Sequence, residues 1–433
     1  TSWWDTGLNS IRGSLKMGKS FFFENINILM GSNATVIKDN LLIIDGKIEA
    51  FGNKAKEEAL KKNIKISKSG NKILAPMLVD SHSFLEDPLT GVDDNLENLK
   101  FRAKKSGFGT IAFLPNSNNW RDNPEKIPFQ KNYDFDLNIY FWGSLSLEDQ
   151  GKKLSPHCEL LKSGSIGLST SNFFDNSIIF KGLSLDAVKT SPILFSLTKK
   201  NSLQKGIINK DIKSLQSGFY IIDNNNEIAE VKNILGIKNI FPDKNIVIKN
   251  ISDSNSLKEI EKHAIPISTT ISWWSLIADT NNLEFDDLGW KVDPPLGSQE
   301  NREFLIKGLE NDLIQAIAVN SKALSDEDTF IPINDRPAGI SSFELVLPLL
   351  WKEFVVKRDW PIPMLWKYLS FNPSNLLGIM QEKLSIGSKR WLIFDPDTKW
   401  INNQINLGYD SPSNFPKKNK LIKGKVIHVG LDF

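Results

Sequence analysis

Ile73-Leu-Ala-Pro-Met-Leu-Val-Asp-Ser-His-Ser-Phe-Leu-Glu-Asp-Pro88 joins an unbroken apolar run to a polar tail. The run ends at Val79 and is bounded by Lys72 and Asp80, the pattern of a strand buried on both faces. It predicts one strand over residues 73–80. The tail begins where that strand should stop and carries a carboxylate, Asp80, an imidazole, His82, and two more carboxylates, Glu86 and Asp87. Polar groups released at the C-terminal end of a buried parallel strand face the mouth of the sheet, where binding and chemistry concentrate.

Toward the N-terminus, residues 21–30, 41–44 and 47–51 read as short strands, with Asp45-Gly46 as the tight turn between the last two. The far end repeats this pattern, with residues 391–394, a break at Asp395-Pro396, then 421–429. Strands at both ends around a long centre predict one small β domain assembled from both termini. Between them, apolar runs alternate with amphipathic stretches, the signature of βα units on a parallel sheet. Eight runs qualify as strands: 73–80, 110–114, 137–142, 165–168, 193–197, 246–251, 265–271 and 315–319. Helical stretches separate them, among them 95–106, 255–262 and 299–310. Eight such units are what a closed (β/α)8 barrel needs. The expected division is therefore 1–72 and 386–433 for the small β domain and 73–385 for the barrel.

Composition narrows the function. Fifty-three basic against 51 acidic residues leave a formal charge of +2 over 433 residues, which argues against a dedicated nucleic-acid or acidic-membrane binder. A single cysteine, Cys158, excludes both a disulfide framework and a cysteine-built zinc site and suits a reducing compartment. No apolar run approaches the roughly 20 residues of a membrane span, and Thr1-Ser-Trp-Trp shows no signal-peptide pattern. The expected location is cytoplasmic.

Several segments, in the right order, resemble the dihydroorotases, cyclic amidases of the amidohydrolase superfamily. The family's first-strand motif, Asp-x-His-x-His followed by an apolar residue, Arg, an acid and Pro, is matched by Asp80, His82, Leu85, Asp87 and Pro88. Gly107-Phe-Gly-Thr-Ile-Ala-Phe-Leu-Pro-Asn116 is similar to the second-strand motif, and Asn116 matches the residue that binds the substrate carboxylate. Lys291-Val-Asp-Pro-Pro-Leu-Gly-Ser298 is similar to the family's Val-Asn-Pro-Pro-Leu-Arg-Ser, with Asp293 in place of Asn. Segments starting at Arg336 and Asn372 resemble the pocket-closing stretch and the Asn-Pro-Ala helix of the family. The resemblance runs from about Phe21 to the end. It implies a TIM barrel of the metal-dependent hydrolase type with a small β-sandwich domain, zinc as cofactor, and the interconversion of carbamoyl-aspartate and dihydroorotate in pyrimidine biosynthesis.

The matches fail where the chemistry sits. Zinc-assisted hydrolysis needs neutral imidazoles and carboxylates around the metal, which lowers the pKa of bound water toward ~7, and a base to move the proton. Phe84 stands at the second histidine of strand one and Glu86 at the substrate arginine. Ser169-Thr-Ser-Asn172 replaces the acid after strand four, with Asp175 the nearest carboxylate. Ser196 stands for the histidine of strand five, Asn250 for that of strand six, Trp273-Trp274 for the pair after strand seven, and Asn320 for the catalytic Asp of strand eight. Of four histidines, His157, His263 and His428 fall away from the ends of barrel strands, so His82 alone can reach the mouth. Asn accepts no proton near neutrality. No cofactor is therefore expected, with zinc binding disfavoured.

The expectation is a dihydroorotase-like chain without catalytic activity, acting as a structural or regulatory partner of aspartate transcarbamoylase or associating with itself, with no nucleic-acid or membrane partner. The rival is an active dihydroorotase or related cyclic amidase with a site rebuilt from Asp80, His82, Asp87 and Asp175. A third reading is a sensor that keeps the pocket for an acidic pyrimidine. Glu86, Asn116, Asp293, Trp273 and Trp274 are the expected pocket remnants, with the tryptophans as either a stacking platform or packing, and Asn116 with Arg336 as either a carboxylate site or a turn and a solvated charge.

Overall fold

The computed structural model describes residues 20–85, 96–171, 176–184, 190–198, 206–210, 214–222, 225–408 and 411–433. Strands β1 (Phe21–Ile28), β2 (Ile37–Ile44) and β3 (Lys47–Phe51) form an antiparallel meander. Asp45 and Gly46 both take positive φ, 49° and 78°, the geometry of a two-residue hairpin turn that suits right-twisted strands. A short β4 (Ile66–Ser67) pairs with β1. The helix Gly52–Lys61, which the sequence reading did not anticipate, buries Ala55 and Ala59 against Phe22, Leu42 and Ala50 on one face of this sheet. Phe23, Ile26, Leu41, Ile43 and Trp391 fill a second cluster.

The decisive run differs from its expected single strand. Ile73–Pro76 is β5 and belongs to the small sheet, while Leu78–Phe84 is β6 and opens the barrel. The change of sheet falls at Met77, next to Pro76, which has no N–H to give a ladder. Side chains from a later segment capture the carbonyls there: the Trp366 indole N–H donates to Pro76 O at 2.9 Å and the Ser370 hydroxyl to Met77 O at 2.7 Å. Because the residues on both sides of Met77, Ile73–Pro76 and Leu78-Val79, are buried, with no polar residue among them, hydropathy alone does not mark the break.

The barrel strands follow as β7 (Phe108–Leu114), β8 (Asn138–Ser144), β9 (Ser165–Ser169) and β10 (Ile193–Phe195). After an excursion that pairs β11 (Ile208–Asn209) with β12 (Ile221–Ile222), they continue as β13 (Ile246–Ile248), β14 (Ser268–Ser272) and β15 (Ala316–Ala318). Among the described residues they make one eight-stranded sheet in the order β15-β14-β13-β10-β9-β8-β7-β6, every pair parallel. The eight runs picked from the sequence are these eight strands, with ends shifted by a few residues. The sheet closes between β6 and β15: Asn320 N–H donates to His82 O at 3.0 Å and Phe84 N–H to Ser321 O at 2.8 Å.

The chain ends by returning to the small sheet. β16 (Trp391–Ile401) pairs antiparallel with β5, and β17 (Leu421–Val429) with β16, giving the order β17-β16-β5-β1-β2-β3. β16 does not stop at Asp395-Pro396 as the sequence suggested. It passes through them with a register shift between Asp395 and Lys399, an irregularity that tolerates a proline without N–H.

Candidate functional site at the barrel mouth

His82 lies near the end of β6 and is completely buried. Its Nε2 meets Thr270 Oγ1 on β14 at 2.9 Å, and its Nδ1 meets Asn320 Oδ1 at 3.2 Å. Asn320 Nδ2 donates to Asp293 O at 3.0 Å, and Thr270 Oγ1 accepts the Asn250 N–H at 3.0 Å. These partners fix a neutral ring: Nδ1–H donates to the amide oxygen, and the threonine hydroxyl donates to Nε2. Burial, and then the charge of Lys249, push the His82 pKa down to about 3. The lone pair a metal would need is thus already taken by Thr270.

Asp80, two residues earlier, is equally buried and serves the barrel's closure. Its Oδ1 accepts the Val319 N–H at 2.9 Å, its Oδ2 accepts the Ser83 hydroxyl, and Ser83 Oγ accepts the Ser321 N–H at 2.9 Å. Burial outweighs these bonds and raises the Asp80 pKa to about 7. Both carboxylate oxygens are engaged in joining β6 to the segment after β15.

The other sequence-selected residues scatter in role. Phe84 ends β6 and lines a small cleft with room for about one water, together with Leu114, Trp120, Asp149, Ser169, Thr170 and Lys249. Ser196 is buried; its N–H donates to Thr170 Oγ1 and its Oγ accepts from Thr198 N–H. Asn250 and Asn320 both have positive φ, 56° and 49°, which Asn adopts more readily than most residues. Asn116 spends its side chain on loop structure: Nδ2 donates to Leu85 O at 3.0 Å and Oδ1 accepts the Asn118 N–H at 3.0 Å. Arg336 is buried, and its desolvation lowers the pKa of its guanidinium.

Of the two readings of Trp273 and Trp274, stacking platform or packing, their surroundings are those of packing. Both are 1 % exposed, packed in the main apolar core on the short helix Trp273–Ile277, and the Trp274 indole N–H donates to Gly289 O at 2.9 Å. A Cβ on Gly289 would come within 2.4 Å of the Trp274 ring, so the glycine makes the seat for this indole. Glu86, Asp87 and Asp175 lie outside the described residues.

Among the described residues, no group of three or more His, Cys, Asp or Glu side chains gathers to hold a metal ion. The donor chemistry agrees: His82 is saturated by Thr270 and Asn320, Asp80 by the barrel closure, and the described positions where the family's other ligands would stand on strands one, five, six and eight are Phe84, Ser196, Asn250 and Asn320. These residues do not fit the zinc centre that the fold family implies.

Sequence reasoning passed over the two cations of the mouth. Lys249 follows β13 directly, and Lys322 follows the Asn320-Ser321 turn after β15. Their ammonium groups lie 6.0 Å and 5.7 Å from the centre of the same Phe84 ring. Burial lowers the Lys249 pKa; Asp293 and Asp149 act against that and Lys322 adds to it. The available signal was the position of Lys249, one residue past the apolar Ile246-Val-Ile248 run.

No family model matches the chain. A probable dihydroorotase-like protein of Synechocystis is 25 % identical over 392 residues, covering 82 % of this chain and 88 % of that protein. The dihydroorotase of Carboxydothermus hydrogenoformans is 23 % identical over 366 residues, covering 83 % and 84 %. Among solved structures, L-hydantoinase (dihydropyrimidinase) from Arthrobacter aurescens superposes with a TM-score of 0.75 at 17 % identity over 95 % of this chain and 94 % of that one. Dihydropyrimidinase from Brevibacillus agri gives 0.70 at 17 % identity, over 95 % and 93 %. By sequence the chain is a homologue of dihydroorotases and dihydroorotase-like proteins, and it is built on the barrel fold of the cyclic amidohydrolases.

Proposed function

We propose that this dihydroorotase-like chain does not perform metal-dependent ring closure and serves as a structural or regulatory partner in pyrimidine synthesis, with aspartate transcarbamoylase as its partner. The observation that carries the first half is the state of His82. A zinc-bound hydroxide needs several unprotonated donors facing one point, and the one family-type imidazole has both nitrogens hydrogen-bonded inside the protein. The position of the family's proton-shuttling Asp is held by Asn320, which accepts no proton near neutrality and spends its amide on His82 and the Asp293 carbonyl. The partner half rests on analogy of family and fold alone.

The test has two arms. The purified chain, supplied with zinc, is assayed for interconversion of carbamoyl-aspartate and dihydroorotate, and its bound metal is quantified. The expected outcome is no turnover above the uncatalysed rate and far less than one zinc per chain; near-stoichiometric zinc with turnover would overthrow the reading. Separately, the chain is mixed with aspartate transcarbamoylase from the same organism at micromolar concentration. Co-elution as a discrete complex is expected, and clean separation removes the partner assignment.

A further inference from the structure

We infer that Lys249 is a carbonyl-reactive amine, whose Nζ condenses with a short, neutral aldehyde entering the barrel mouth. Lys249 follows β13 directly and lines the mouth cleft with Phe84, Leu114, Trp120 and Asp149. Its backbone N–H donates to Phe195 O at 2.9 Å, which fixes the root of the side chain. Among the described residues its ammonium group makes no hydrogen bond and no direct ion pair, and it lies 6.0 Å from the centre of the Phe84 ring.

Two observations single this lysine out. The first is the carboxylate on the same cleft wall. Asp149 is 1 % exposed and, with Glu148, makes two consecutive non-glycine residues at positive φ, 53° and 51°. Such backbone persists only where its surroundings hold it, and it gathers at functional sites. Here Asp122 Oδ2 accepts the Glu148 N–H at 2.7 Å, and Asp149 Oδ2 accepts the Ser171 N–H at 3.2 Å. The second is the balance of charge around Nζ. Burial disfavours the ammonium form most; Lys322, 5.7 Å from the centre of the same ring, adds to this, while Asp293 and Asp149 act against it. His82, which feels the charge of Lys249, is neutral. A lysine desolvated beside a second cation yields its proton readily and becomes a nucleophile.

The same balance selects the guest. The ammonium gives one proton to solvent, and the nitrogen lone pair bonds the carbonyl carbon. The nitrogen then passes a proton to the oxygen, giving a carbinolamine. That hydroxyl takes one proton back from solvent and leaves as water while the lone pair closes the C=N bond. The iminium carries the single positive charge of the ammonium, so Asp149 and Asp293 face an unchanged charge and the guest needs no anionic group. Phe84, Leu114 and Trp120 suit its carbon chain, and the size of the cleft restricts that chain to about two or three carbons.

This inference goes beyond the scaffold reading and requires neither metal nor partner, so its failure leaves that reading untouched. The test treats the isolated full chain with acetaldehyde and cyanoborohydride, which reduces an imine to a stable N-ethyl group, and follows each lysine by peptide mass spectrometry. At about pH 7, Lys249 is expected to be ethylated several-fold faster than exposed lysines such as Lys54, an advantage that shrinks toward about pH 10. Lys322→Met is expected to slow Lys249 at about pH 7 and to leave Lys54 unchanged. The pH profile of the parent carries the test should that variant fail to fold. Ethylation of Lys249 no faster than that of Lys54, or a Lys249 rate untouched in folded Lys322→Met, overturns the inference.

Discussion

His82 and Asp80 sit two residues apart and titrate in opposite senses. The folded-state pKa of His82 is depressed from 6.5 to about 3, so between those values the unfolded chain holds the extra proton and stability rises with pH. The Asp80 pKa is raised from 3.8 to about 7, so between those values the folded chain holds the extra proton and stability falls as pH rises. Each slope is at most about 1.4 kcal/mol per pH unit, and over pH 4–6 they oppose each other. Asp80→Asn, which keeps an oxygen for the Val319 N–H, should therefore steepen the gain of stability from pH 4 to 6. His82→Gln should turn the profile the other way. Denaturant unfolding across that range measures both, and parallel profiles for the two variants and the parent would refute the assignment. Asp80→Ala adds a second cost: a buried Val319 N–H loses its acceptor, worth about 1–3 kcal/mol. The identity of His82 as the sole imidazole of the mouth was legible from residue spacing. Its saturation was not, because Thr270 and Asn320 lie 188 and 238 residues away along the chain, and nothing local in a sequence reports such a meeting.

At the scale of elements, the period of the apolar runs located all eight barrel strands, and Asp45-Gly46 located the hairpin. The change of sheet at Met77 escaped because the apolar run continues unbroken from β5 into Leu78 and Val79 at the start of β6, and only the geometry of the partner strands separates them. That junction depends on Gly109 in β7. A Cβ there would come within 2.6 Å of Met77 Cβ and 2.7 Å of Arg390 Nη2. The guanidinium it admits donates to Gly109 O at 2.6 Å and pairs with Glu382, also at 2.6 Å, in a buried cluster that bridges barrel and small sheet. Gly109→Ala is expected to cost about 1–3 kcal/mol by overpacking. Removing Arg390 leaves Glu382 buried without its partner, and Arg390→Met should cost about 3–5 kcal/mol. Urea midpoints test both; a Gly109→Ala midpoint equal to that of the parent would show that the contact relaxes freely. The tryptophan pair teaches the same lesson as Met77: its place in the order of segments left pocket and packing both open, and its seat over Gly289 comes from a loop fifteen residues on that folds back.

Among the described residues the two large sheets are joined directly at Met77, and the smaller of them is completed by the last strands of the chain. Among the described residues no helix is long and apolar enough to cross a membrane. Deleting residues 391–433 removes Trp391, Ile393 and the whole of β16 and β17 from the sheet. The shortened chain should aggregate on expression, which light scattering after refolding would register; a monomeric, cooperatively melting product would contradict this. The same topology shapes how the protein is born. Until Trp391–Ile401 has left the ribosome, β5 keeps one rim of unpaired amides and carbonyls, flanked by side chains meant for burial. Such a rim invites pairing with any neighbouring strand. While the stretch between Pro76 and Trp391 is being made, the nascent chain therefore carries this open rim, available for mispairing until the final hairpin docks.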